Sequence, residues 1–329
     1  MTKDSSPTID DGPRAAYRPG PHWFAVGAAV FTWPLLFIGG LVTTYRVGMA
    51  VPDWPTTFGA NMFLYDMTRA SWAVFGEHTH RLYGAAVGLF VILLLGEFLL
   101  FERRRWIKTL GVLALFGVII QGVLGGYRVR LNSTLLAAVH GSTAQLYFGF
   151  LVALCVLTGR SWFGKARAVP GRSLDKVRAS AAVTLGMIYA MVLLGAWLRH
   201  YSSVSALRLH AILALAVLGH AGVLVVRLAR PRGAFPELAP AARAMGVALL
   251  FQISLGVAAW WLLRPYDGLP HAVTTLAALV RTGHQANAGL LIGSAVVLAM
   301  RAFGQFAVVP GLEGNGPDGS RVGELEAVA

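Results

Sequence analysis

Eight apolar runs, at residues 23–43, 82–101, 107–125, 135–158, 179–198, 209–229, 244–263 and 281–301, constrain what this chain can fold into. Wound as an α-helix rising about 1.5 Å per residue, about 20 apolar residues cross the hydrocarbon of a bilayer. Of the 329 residues, 56% are hydrophobic and 13% charged, which leaves too little charge to solvate a water-soluble domain. The expectation is an all-α polytopic membrane protein with eight transmembrane helices.

The net charge of +13 sits in short basic clusters between the runs rather than on one continuous face, which argues against nucleic acid as a partner. Arg103, Arg104, Arg105 and Lys108 follow the second run; Arg160, Lys165, Arg167, Arg172, Lys176 and Arg178 follow the fourth; Arg227, Arg230, Arg232 and Arg243 surround the connection from sixth to seventh. Basic loops of this kind stay on the cytoplasmic side. With Lys3, Arg14 and Arg18 at one end and Arg301 and Arg321 at the other, both termini are expected there too, consistent with an even number of spans.

Residues 1–22 and 304–329 are polar and rich in Pro and Gly, and are expected to be disordered cytoplasmic tails. Residues 161–178 would form a basic cytoplasmic linker between an N-terminal half, 23–160, and a C-terminal half, 179–303. Cys155, the single cysteine, reads as a small apolar residue and leaves no intramolecular disulfide and no Cys-based metal site.

The two halves read as copies. QGVLGG at 121–126 aligns with QISLGV at 252–257, so Gln121 and Gln252 each stand four residues before a glycine. His80 then corresponds to His210 and His140 to His284, and the expected architecture is two repeated four-helix bundles. From these histidines to Arg103, Arg160, Arg230 and Arg301 the separations are 23, 20, 20 and 17 residues, about 25–35 Å of helix. All four imidazoles therefore share one level near the outer boundary of the membrane.

One such histidine would be satisfied by a backbone carbonyl. Four at repeat-related positions on alternate helices indicate function, because ionisable groups inside a bilayer are costly. Two imidazoles facing each other across a four-helix bundle can ligate a haem iron from both faces. Gly84 and Gly88 beyond His80, and Ala144, Ala214 and Ala288 one turn beyond the other three, leave room for a flat ligand or for close helix packing. On the outer side, Arg81, Arg128, Arg130, Arg199, Arg208, Arg264 and Arg281 are candidates to pair with haem propionates or to snorkel to the interface. His22, His200, His220 and His271 show no such pattern, and His78 points to a different helix face from His80.

Glu77 precedes His80 by three residues and shares its face on a continuous helix. A carboxylate there is placed to move protons or stabilise positive charge beside a haem, or else to pair with Arg81 or Arg46. VPDWPTTFG at 51–59, Glu-x-x-His-Arg at 77–81, QGVLGG at 121–126, VHGSTA at 139–144 and GHQANAG at 283–289, in this order, resemble the haem A synthase family over residues 23–303. The resemblance implies oxidation of the C8 methyl of haem O to the formyl group of haem A, with Glu77 as the catalytic carboxylate. It implies that His80 and His140 hold the substrate haem O, and that His210 and His284 bind the iron of a resident haem b for electron transfer. Arg81 and Arg128 would then lie beside the substrate, and Arg208 and Arg281 beside haem b. Trp54, in the rigid Pro52-Asp53-Trp54-Pro55, would cap the substrate pocket or form only an interfacial turn.

The resemblance further implies a multi-pass place in the cytoplasmic (inner) membrane, and haem O synthase and cytochrome oxidase assembly factors as partners. An electron acceptor such as a quinone is also implied, and a homo-oligomer is compatible. Some members carry a cysteine pair in the outer loops; residues 44–79 have none, which places the chain with the cysteine-free members. Two other readings use the same histidines: a bis-histidine membrane cytochrome b, in which Glu77 has no task, and a transporter built from repeats. Haem extraction separates the three, since a transporter is colourless and a cytochrome yields haem b alone.

Overall fold

A computed structural model describes residues 17–164, 166–230, 233–263 and 273–308. The expected tails up to residue 16 and from 309, with Lys165, Arg232, Arg264 and His271, lie outside the described residues. Eight helices run through the rest: α1 Pro19–Thr44, α2 Trp72–Phe101, α3 Arg105–Arg130, α4 Thr134–Thr158, α5 Gly171–Tyr201, α6 Val204–Leu228, α7 Ala239–Leu262 and α8 Thr275–Gly304. All eight are long and apolar enough to cross a membrane, and the chain is a multi-pass all-α membrane protein.

Several helices outrun the apolar stretches that signal them. α2 begins at Trp72 rather than 82 and α8 at Thr275 rather than 281, so Glu77, His78 and His80 lie inside a helix and not at its mouth. The starts are set by capping instead of hydropathy. Ser71, Ser133, Ser203 and Thr274 accept hydrogen bonds from the backbone N–H groups of Val74, Leu136, Ala206 and Ala277, so all four even-numbered helices begin on a Ser/Thr cap. Those caps were readable in the sequence as helix-start signals.

The expected tail and linker boundaries shift for the same reason, that local backbone satisfaction extends past the apolar run. Pro19–His22 form the first turn of α1, and His22 Nδ1 meets the Cys155 carbonyl at 3.1 Å. Residues 161–178 hold the end of a 3-10 turn, a short strand β1 (Arg167–Val169) and the start of α5. β1 pairs in parallel with β2 (Phe306–Val308), with Arg167 opposite Phe306. Arg178 donates to the carbonyls of Ala302 and Phe306 and ties this ribbon to α5.

Each half is a ring of four helices. In the first, α1 packs on α2 and α4, and α3 closes the ring against α2 and α4; in the second, α5, α6, α7 and α8 repeat the order. The even-numbered helices of a half therefore stand diagonally opposite. The rings join through α1, α4, α5 and α8, and the apolar spans of α4 and α8 are 56% buried against 17% for α3, α5, α6 and α7. Two apolar cores result, one per half, meeting at Val152 and Met300.

Close approach of α4 to α8 depends on Gly149, where a Cβ would lie 2.8 Å from Cγ2 of Ile292. Gly149→Leu is expected to cost about 1–3 kcal/mol by overpacking. Gly96→Ala, where a Cβ meets nothing within 4 Å, is expected to gain about 0.5–1 kcal/mol. Thermal unfolding of the two variants in detergent, measured beside the parent chain, should give shifts of opposite sign.

Candidate functional site

His80, His140, His210 and His284 come from α2, α4, α6 and α8, and each imidazole rests on a glycine of the odd-numbered helix before it. Gly39, Gly125, Gly195 and Gly256 respectively face them, and a Cβ at any of the four would sit 2.9–3.2 Å from the imidazole Cε1. Any larger residue would push the ring away. Gly125 and Gly256 are the glycines four residues after Gln121 and Gln252, so the sequence repeat marks the seat of an imidazole. Gly39 and Gly195 had no comparable signal.

The histidines pair within each half. His80 and His140 lie within range of each other's charge, and the rings of His210 and His284 have centroids 6.3 Å apart, inclined by 67°. A metal bonded to a nitrogen of each ring at about 2 Å requires ring centres about 6 Å apart. His284 Nδ1 lies 3.1 Å from the Gln252 carbonyl; donation there leaves Nε2 with its lone pair, and the Gln252 side-chain amide meets Nε2 at 3.4 Å. His140 repeats the backbone contact on Gln121, and Nδ1 of His80 and His210 is likewise enclosed by protein, which leaves Nε2 as the nitrogen of each ring for a ligand. Ring spacing and tautomer fit a haem iron held between imidazoles.

The residues around His80 serve the connection from α1 to α2. Glu77, 2% exposed, accepts from Arg81 Nη2 at 2.8 Å through Oε1 and from the Val51 N–H at 3.0 Å through Oε2. Arg81 also donates to the carbonyls of Val51, Asp53 and Thr56 at 2.8, 2.6 and 3.2 Å. Of the two partners open to Glu77 from sequence, Arg81 is the one it meets. Four polar contacts thus stitch the loop to the first turns of α2. Fully buried His78 faces the same loop, on the Thr57 hydroxyl at 3.1 Å and the Tyr65 ring, while His80 faces α1. The indole of Trp54 lies against Gly126 of α3, so the loop closes over the N-terminal ring. Arg128 donates to the Gly48 carbonyl at 3.0 Å and lies within charge range of Glu77, His80 and His140.

In the C-terminal half, Arg208 is exposed, whereas Arg281 is partly buried and within charge range of Arg199. Arg199 reaches across to α1, donating to the Gly40 carbonyl at 2.8 Å and to the Thr44 hydroxyl, and also lies within charge range of His284. His200, set aside on sequence, comes within charge range of Arg128 and His140 because α5 packs on α4. The repeat does not mark it, and only the docking of the halves brings it there.

Residues 22–208 match the COX15-CtaA family, described as cytochrome oxidase assembly protein. The matched span includes Glu77, His80, Arg81, Arg128 and His140; His210, Arg281 and His284 lie beyond it. The chain is 30% identical over 142 residues to the Heme A synthase of Listeria monocytogenes serotype 4a (strain HCC23), covering 42% of this chain and 44% of that protein. It is 25% identical over 213 residues to the Heme A synthase of Parvibaculum lavamentivorans, covering 53% of this chain and 58% of that protein. The matches thus span about half the length of these relatives.

Asp53 organises the tip of the loop. Its carboxylate accepts from the N–H groups of Phe58 and Gly59, each at 2.8 Å, and from the Thr56 hydroxyl. Burial works to raise this carboxyl, but the bonds from Gly59, Thr56 and Phe58 outweigh it and hold it down at about 2. A depressed folded-state value contributes order that is complete above the unfolded value near 4 and is lost as pH falls through about 2. Amide exchange at residues 56–60, corrected for its intrinsic pH dependence, should therefore be unchanged from pH 7 to 5. Asp53→Ala should raise it about tenfold at all those pH values.

Proposed function

The chain belongs to the COX15-CtaA family of cytochrome oxidase assembly proteins, and we propose that it is a haem A synthase, oxidising the C8 methyl of haem O to the formyl group of haem A for terminal oxidase assembly. The observation that carries this reading is that His80 and His140 stand on diagonal helices of one ring, inside the family-matched span, with Glu77 buried beside them. The N-terminal half is the substrate site, with haem O between His80 and His140 beneath the loop that carries Trp54. The C-terminal half is the site of a resident haem b on His210 and His284. Bound there, haem b would supply one-electron transfer.

The chain's own residues have distinct tasks. Four imidazoles bind, and their glycine seats fix where they bind. Gly84 and Gly88 leave the space beyond His80 open, since a Cβ at Gly88 meets nothing within 4 Å and one at Gly84 only Leu35 at 4.0 Å. Loop residues 45–71, held down by Arg81 and Glu77, keep water from the outer side of the substrate ring. Arg128, within charge range of both substrate histidines, is the cation placed to meet a propionate. Arg281, with Arg199 near it, has that role in the other half, and Arg208 lies at its exposed rim. Converting a methyl to a formyl group while electrons leave to an acceptor takes the formyl oxygen from a water molecule and releases protons, and Glu77 is the carboxylate proposed to accept or relay them. The electrons leave to an acceptor such as a quinone, and the place of work is the cytoplasmic membrane, alongside haem O synthase and oxidase assembly factors.

The ligand sets are expected to separate. His210→Ala or His284→Ala should abolish the six-coordinate low-spin spectrum of bound haem b, whereas His80→Ala or His140→Ala should stop haem A formation and leave most haem b in place. A wild-type spectrum in both C-terminal variants would remove that pair as ligands.

Glu77→Gln keeps an amide oxygen for the Val51 N–H but loses the charge facing Arg81. It is expected to retain haem while haem O or a partly oxidised intermediate accumulates, read by extracting haem from cells supplied with haem O. Glu77→Asp should fall between, because a displacement of about 1 Å can cost on the order of a hundredfold in rate. Full haem A production by Glu77→Gln would reduce the residue to a brace for the loop.

A further inference from the structure

Below His140, α3 and α4 flank a cleft of about 290 Å³, floored by Tyr147, whose hydroxyl donates to the Ala114 carbonyl of α3. Its walls include Leu113, Ile120, Leu146, Tyr147 and Phe150. Leu113, Ile120 and Leu146 are about half exposed, so the cleft opens on the surface that faces lipid. One polar group stands in this apolar lining without its full complement of bonds. Gln121 donates through Nε2 to the Thr143 hydroxyl at 2.9 Å, while its carbonyl Oε1 is enclosed and has no partner. A buried acceptor left unsatisfied is costly unless a ligand supplies the donor.

The repeat provides an internal control. Gln252 occupies the place of Gln121, and Asn287, three residues after His284, occupies the place of Thr143, three residues after His140. Asn287 Nδ2 donates to Gln252 Oε1 at 2.8 Å and fills that acceptor from within the protein. Thr143 cannot do the same, because its hydroxyl is the acceptor for Gln121 Nε2 and donates to the Val139 carbonyl at 2.7 Å. In the half read as the haem b site this acceptor is filled, and in the half read as the haem O site it is left without a donor.

Haem O differs from haem b in one peripheral side chain, an alcohol followed by a farnesyl chain in place of a vinyl group. We propose that the α3/α4 cleft is the subsite for this side chain, with the Gln121 carbonyl accepting its hydroxyl and the isoprenoid lying along the apolar walls towards lipid. The inference rests on the assignment of the N-terminal half to haem O. It makes Gln121 and Thr143 determinants of substrate specificity, since a site built to hydrogen-bond an alcohol discriminates against an analogue that lacks it. It also explains why the acceptor at this repeat position is filled from within the protein in one half and not in the other.

The test uses the purified full-length protein with its haem b site filled, titrated with haem O and, in parallel, with further haem b, following the Soret band. Wild-type protein should bind haem O more tightly at the second site. Gln121→Leu, which removes the acceptor, and Thr143→Asn, which imports the arrangement of the other half, should each weaken haem O by about threefold to tenfold and leave haem b binding at that site unchanged. Leu146→Trp, at the lipid-facing rim, should do the same by filling the cleft. Retention of the resident haem b spectrum checks folding, and if Gln121→Leu fails it, the other two variants decide. Haem O affinity within twofold of wild type in the folded variants, or equal losses for both haems, would overturn the proposal while leaving the haem O site intact. Failure of the wild-type protein to take up haem O at all would remove the functional reading and this subsite with it.

Discussion

An imidazole buried between membrane-spanning helices needs a surface to lie on that does not project a side chain into it, and glycine provides that surface four times. Because a Cβ at each seat would come 2.9–3.2 Å from the ring it carries, neighbouring helices must approach closely at that level, and their partners are fixed with them. The odd-numbered helices supply the seats and the even-numbered ones the rings. A ring of four helices with two imidazoles on the diagonal follows, and the chain builds it twice. The costly burial of ionisable groups thereby takes the form of two pairs of imidazoles, one in each ring of helices.

The two rings share this frame and differ in how they are closed on the histidine side. In the N-terminal half, an Arg–Glu pair buried under a long connection satisfies four carbonyls or N–H groups of the loop. Burying such a pair is favourable only when further hydrogen bonds complete it, and here the loop backbone supplies them. Between α5 and α6 the connection is only Ser202–Ser203, with Ser202 in the left-handed region at φ 49°. No comparable clamp fits over so short a turn, and Arg199 instead extends sideways to α1. Closure of the N-terminal half thus belongs to the loop, while that of the other half is shared with its neighbour.

Much of this was legible in the sequence because lipid imposes a simple rule. Apolar length gave the eight spans, and Gln121/Gly125 against Gln252/Gly256 gave the repeat. Less legible was whatever depends on contacts between distant segments. Arg81 reads as a propionate partner, a snorkelling cation or the partner of Glu77, and its grip on the loop emerges only when Val51, Asp53 and Thr56 are seen to surround it. His78 and His80 differ in fate only because helical rotation turns one to the loop and the other to Gly39. The polar first turns of α2 and α8 fell outside the apolar windows, although Ser71 and Thr274 announce them as caps. His200 needed the packing of α5 on α4, which no local pattern encodes.

One helix carries the relation between the two sites. On α1, Gly39 seats His80, while the adjacent Gly40 faces α8, where a Cβ would lie 2.8 Å from Cγ2 of Thr282. The Gly40 carbonyl accepts from Arg199, and the Thr44 hydroxyl, one turn on, accepts from Arg199 and meets the Thr282 hydroxyl at 3.2 Å. Trp33 donates to the Ala286 carbonyl at 3.0 Å, fastening the same helix to α8 two residues beyond His284. Consecutive residues of α1 therefore touch a ligand of one half and the scaffold of the other, and the halves can be no farther apart here than one helix, with axes about 8–10 Å from its own. A substituent at Gly39 or Gly40 would widen that spacing on one side or the other. The separation of the two imidazole pairs is thus set by side-chain volume on a single helix, and not by the length or sequence of the basic segment that joins the halves along the chain.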